Sequence, residues 1–97
     1  MILVGERFIS VDHIEHIYVE QLHPTQERYI VIVQLSGSSA VFGRRDNDYM
    51  TLQMAFELRR RIVKAIFDYK SSDKPEIQHV NFPKYEEVHP KEDSENS

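Results

Sequence analysis

The chain contains no cysteine, which excludes disulfides and thiolate zinc sites. No stretch approaches the roughly 20 apolar residues that a membrane-spanning helix needs. The apolar start Met1–Val4 stops at Gly5-Glu6-Arg7, which is not the pattern of a secretory leader. A cytoplasmic protein with no membrane partner is therefore expected. The sequence marks of catalysis are missing too: there is no Gly-x-Ser-x-Gly, no P-loop and no Gly-x-Gly-x-x-Gly. Gly37-Ser38-Ser39 reads as turn chemistry. Ser10, Asp12 and His13 are neighbours in sequence, which does not make them a triad. The expectation is a non-enzyme that carries no cofactor.

The 97 residues form one small domain. An apolar share of 40% is low for a globular chain, and a core of this size is marginal, so a partner surface would help it. The net charge of −4 is unevenly spread. Residues 1–70 hold nine Lys/Arg and nine Asp/Glu, whereas residues 71–97 hold three Lys and seven Asp/Glu. The reading is a neutral body, residues 1–70, followed by a polar acidic tail, residues 71–97.

The longest periodic stretch is Asp48 to Lys70, DYMTLQMAFELRRRIVKAIFDYK. On a helical wheel Leu52, Ala55, Phe56, Val63, Ile66 and Phe67 crowd one side. Ile62 and Tyr69 widen that side, and Leu58, Ala65 and Met54 carry it further round. Gln53, Glu57, Arg60, Arg61, Lys64 and Asp68 form a narrow polar arc. The apolar arc is about twice the ~100° stripe of an ordinary surface helix. Such a helix requires cover on more than one side: a sheet, and then either the tail or a second copy of the chain. Arg59 falls inside the apolar arc. A buried, unpaired guanidinium is costly, so its head should escape to water, meet a carboxylate, or serve an interface. Asp46, Asn47 and Asp48 are candidate N-caps, and Pro75 lies beyond the helix end.

Ahead of the helix, Ile2-Leu3-Val4, Phe8–Val11 and Ile17–Glu20 read as short strands, with a helical turn at Asp12–Ile17 between the last two. Arg28–Leu35 is β-branched and apolar on both faces, which suits a central strand. Ser36-Gly37-Ser38 turns it into Ser39–Phe42. The connections are too short for parallel crossovers. The expected fold is α+β: an antiparallel sheet of four or five short strands packed by one long helix. In the tail, Ile77, Val80, Phe82, Tyr85 and Val88 are apolar enough to lay an extended segment on the body, while the extreme end has the composition of disorder. FISVDHIEHIYVE, followed by a long strand, a hairpin and a helix, resembles in its hydrophobic pattern a flagellar-operon type of short bacterial strand-rich protein. The same order is similar to a reduced pleckstrin-homology-like layout. Neither resemblance carries over a functional residue.

Three clusters bear on function. His13 and His16, with Asp12 and Glu15, lie on one turn, but no second cluster of matching spacing exists, so no metal site is assigned. Arg44, Arg45, Arg60, Arg61 and Lys64 are candidates for an anion-binding or nucleic-acid-binding patch, with Asp46, Asp48 and Glu57 interleaved among them. Met54, Leu58, Arg59, Ile62, Ala65 and Tyr69 are the candidates for an interface. The leading expectation is a small interaction module that meets a protein partner or forms a homo-oligomer through the helix or a sheet edge. Nucleic-acid or anion binding is the second.

Overall fold

The structure, a computed structural model, describes residues 1–45, 48–73 and 76–90. It is α+β, with one long helix and two three-stranded sheets. The elements are β1 (Ile2–Val4), β2 (Arg7–Ile9), a 3-10 turn (Val11–His13), β3 (Ile14–Gln21), β4 (Tyr29–Leu35), β5 (Ser38–Phe42), α1 (Leu52–Lys70), β6 (Gln78–Val80) and α2 (Tyr85–Val88).

The β3-β4-β5 sheet is an antiparallel meander. Its central strand is β4, in keeping with the continuous apolar run. Val31 and Val33 face the main core, and Ile30 and Ile32, on the opposite face, are also buried. A β-bulge at Glu15 separates the Ile14–Leu35 and His16–Gln34 pairs, so the strand resumes where a helical turn was expected; only Val11–His13 is helical there.

The second sheet corrects the expectation of a single antiparallel sheet. Its order is β2-β1-β6, with β2 antiparallel and β6 parallel to β1. A parallel partner needs a long crossover, and α1 supplies it. The pattern of short connections before the helix held no information about a strand after it. β6 is only three residues long, and of these Val80 alone is fully buried, too little alternation to read as a strand in advance.

Part of the expected tail, residues 71–97, lies against the body. The Gly5 amide donates to the Val80 carbonyl at 3.0 Å. Phe82 meets Phe42 edge-on, with ring centroids 5.8 Å apart, and the ring lies 3.0 Å from where a side chain at Gly5 would begin, in a turn with φ of 60°. The His89 Nε2 and Thr51 Oγ1 atoms are 2.7 Å apart. Residues within 76–90 thus contact the body through β6, Phe82 and His89. Residues 91–97, where disorder was expected, lie outside the described residues.

α1 begins later than expected. Its cap is Thr51, whose Oγ1 accepts from the Met54 amide at 3.2 Å. Of the three expected caps, Asp48 sits in the preceding turn, and Asp46 and Asn47 lie outside the described residues. The helix packs on β6, β4, β3, β1 and α2, so both sheets share it. Leu58 and Ile62 are fully buried at that junction, worth roughly 1.5–3 kcal/mol each in transfer free energy.

Two predictions follow from this packing. A fragment ending at Lys70 lacks β6 and leaves β1 without a partner on one side; it is expected to lose the cooperative thermal transition of residues 1–97, as read by circular dichroism. Leu58→Ala is expected to cost about 2–5 kcal/mol in urea unfolding.

Candidate interaction surface

Viewed down its axis, α1 has two faces of different character. Met54, Ala55, Leu58, Ile62 and Ala65 are buried, with Ile66 and Tyr69 packed at the border of the core. This arc contains no charged residue. Opposite it, Phe56 is 53% exposed, Val63 46% and Phe67 70%. The spacing of these three, seven and then four residues, keeps them in one stripe, with Arg59 and Arg60 on its flanks.

Of the expected interface residues, Met54, Leu58, Ile62 and Ala65 are buried in the chain's own core. Tyr69 is half-buried against the same core. The free apolar surface belongs instead to Phe56, Val63 and Phe67, which the wheel placed at the centre of the covered side. The distinguishing signal was charge. The arc that became the core is the one with no Lys, Arg, Asp or Glu, whereas the stripe that stayed outside has two arginines beside it and Lys70 at its end. A buried guanidinium is far costlier than an exposed phenylalanine, so charge decides which arc turns inward.

Arg59 is exposed, and its Nε donates to the Ile17 carbonyl at 3.1 Å. It therefore reaches an edge strand of the meander from the rim of the free stripe, which is the solvent-escape solution to the cost of burial.

The expected anion patch comes apart in three dimensions. Arg60 grips Glu57 with two hydrogen bonds, Nε to Oε1 at 2.9 Å and Nη2 to Oε2 at 2.6 Å. Arg61 donates to the same carboxylate at 2.8 Å, to the Asn81 carbonyl at 3.0 Å and to Glu87 at 3.2 Å. Lys64 pairs with Asp68 at 2.8 Å. These three cations are neutralised locally, and Arg61 also ties the helix to the segment carrying β6 and α2. Arg44 and Arg45 lie elsewhere, exposed on the loop after β5.

The electrostatic consequences follow directly. Hydrogen bonds from Arg60 and Arg61 lower the Glu57 carboxyl to about 2. The same bond raises Arg60 above its ordinary value. The Lys84 amide, then Arg61, lower the Glu87 carboxyl. Each shift holds a group more firmly in its charged form, the opposite of what a general acid or base working near neutral pH requires. Among the described residues no three His, Cys, Asp or Glu side chains gather as a metal site. No described helix is long and apolar enough to cross a membrane. No protein-family model, curated protein or solved structure matches the chain.

Because Glu57 is more acidic in the folded state than in the unfolded chain, its contribution to stability is complete above about pH 4.5 and is lost as the pH falls through about 2. Glu57 keeps 20% side-chain exposure and Arg60 64%, so solvent screening holds the contribution to about 1 kcal/mol. Glu57→Gln is expected to lower the unfolding free energy by that amount at pH 7 and to match the parent near pH 2, measured by urea denaturation across the range.

Proposed function

We propose that this protein is a small, non-catalytic interaction module that self-associates through the free face of α1, and that it works in the cytoplasm. The observation that carries the reading is the stripe Phe56, Val63, Phe67. Two phenylalanines and a valine, each about half exposed or more, on the most extended rigid element of a domain with a modest core, are what an assembly surface requires.

The pattern favours a second copy of the chain as the occupant. Phe56, Arg60, Val63 and Phe67 recur at spacings of four, three and four, the seam spacing of a helix pair. In an antiparallel pair with its two-fold axis near residues 61 and 62, Phe56 meets the second copy's Phe67, and Val63 meets the apolar stem of the second copy's Arg60. The axis then falls at the middle of the 19-residue helix, so the two helices overlap along their length of about 28 Å. The charge of Arg60 is already satisfied by Glu57, and on the flank Glu57 of one copy faces Lys64 of the other. This register sets no like charges opposite one another at the seam.

Light scattering over a tenfold concentration range is expected to give twice the 11.5 kDa chain mass, little changed by salt. Phe67→Asp is expected to return the protein to a monomer while leaving its unfolding free energy within about 1 kcal/mol of the parent, since an exposed position contributes little to the isolated fold. A parent protein that stays monomeric at high concentration would sink the reading.

A further inference from the structure

Arg44 and Arg45, separated from the helix cations, find a third partner that is distant in sequence. Arg7, the first residue of β2, lines the same groove of about 920 Å³. The groove lies between the β1–β2 turn of one sheet and the end of β5 in the other, and its volume falls in the range of small-molecule sites. Its floor is apolar, formed by Phe42, Met50, Met54 and Phe82. Glu6 and Asp48 also line it, leaving three cations against two carboxylates. Among the described residues none of the three arginines makes an ion pair, in contrast to Arg60, Arg61 and Lys64.

The backbone that presents Arg44 and Arg45 is held in place. Arg28 Nη2 donates to the Arg44 carbonyl at 3.3 Å and the Arg45 carbonyl at 3.0 Å. The Arg28 guanidinium lies 5.7 Å from the centre of the Tyr49 ring, and the Tyr49 hydroxyl donates to the Glu27 carbonyl at 3.1 Å. Gly43, at φ of 97°, leads into this loop; a Cβ there would lie 2.5 Å from the Met50 side chain and 3.0 Å from the Tyr29 carbonyl. One arginine is thus used to fix the main chain that carries two others, a supported and pre-organised arrangement.

We propose that Arg7, Arg44 and Arg45 form a binding site for a small phosphate monoester that carries an apolar group, the phosphate held at the arginine rim and the apolar part laid on Phe42 and Phe82. Guanidinium groups match phosphate oxygens in planar, charge-assisted pairs, and a dianion answers three cations better than a monocarboxylate does. The site is independent of the association surface on α1.

The test is titration of the 15N-labelled full chain with phenyl phosphate, inorganic phosphate and benzoate, followed by NMR. Phenyl phosphate is expected to give saturable shifts confined to Arg7, Gly43 to Arg45 and Tyr49, with affinity about tenfold above that of inorganic phosphate and several-fold above that of benzoate. Arg7→Gln and Arg44→Gln are each expected to weaken it about tenfold, and Arg60→Gln to leave it unchanged; thermal unfolding checks that each variant folds. Non-saturable shifts, an equal response to inorganic phosphate, tighter binding of benzoate, or an Arg7→Gln protein with undiminished affinity would each overturn the proposal. Binding of duplex DNA with no response to phenyl phosphate would overturn it as well, and would assign the arginines to a polyanion surface.

Discussion

The structure depends on the charge-free arc of α1. Leu58 and Ile62 lose all contact with water only because two sheets close over the same side of the helix. One sheet has a three-residue strand at its centre, and the other is a meander that buries Val31, Val33, Ala40 and Phe42, with Ile17 and Val19 packed beside them. Burial along one helix face joins them into one core, and the free energy available from that face is large compared with any single surface ion pair.

Once that face is fixed, the charged residues take their places by default. Arg61 lies beside the core arc, where it can reach Glu57 on its own helix and Asn81 and Glu87 on the returning chain. Arg60 shares Glu57. A row of cations that reads as a patch in sequence becomes a set of pairs within α1, with Arg61 alone among them fastening the helix to the segment bearing β6. Arg44 and Arg45 escape this fate because their loop lies at the far end of the meander, where the cation nearest in function comes from β2. Proximity in sequence was a poor guide to which positive charges act together, since helical geometry sends Arg59, Arg60 and Arg61 in three directions.

The elements legible in advance were those with strong local periodicity. β4 declared itself through a β-branched run with no polar face, and α1 through length and repeat. The helix cap lies three residues beyond the last expected one because Asp48 and Thr51 are both good caps, and Thr51 is favoured by Met50, buried ahead of the helix, and by the contact between Thr51 and His89. β6 was hidden because a three-residue strand pairing in parallel draws its stability from β1 and α1, and nothing in Gln78-His79-Val80 reports those neighbours. The place of Arg7 beside Arg44 and Arg45 at one groove is hidden for a similar reason: at the end of a short strand it reads as ordinary surface charge.

The sequence by itself determined the class of fold, the position of the long helix and the central strand, and the excess of apolar residues on that helix, because these follow from spacing and side-chain chemistry along a local stretch. It also contained, in the distribution of charge around the wheel, the choice of inward face. Only the tertiary structure decided that the chain after the helix returns to complete a second sheet, that Glu57 collects two arginines, and that Arg7 joins Arg44 and Arg45 at one groove. Those outcomes depend on contacts between residues far apart in the chain, whose free energy exists only when the intervening elements have packed.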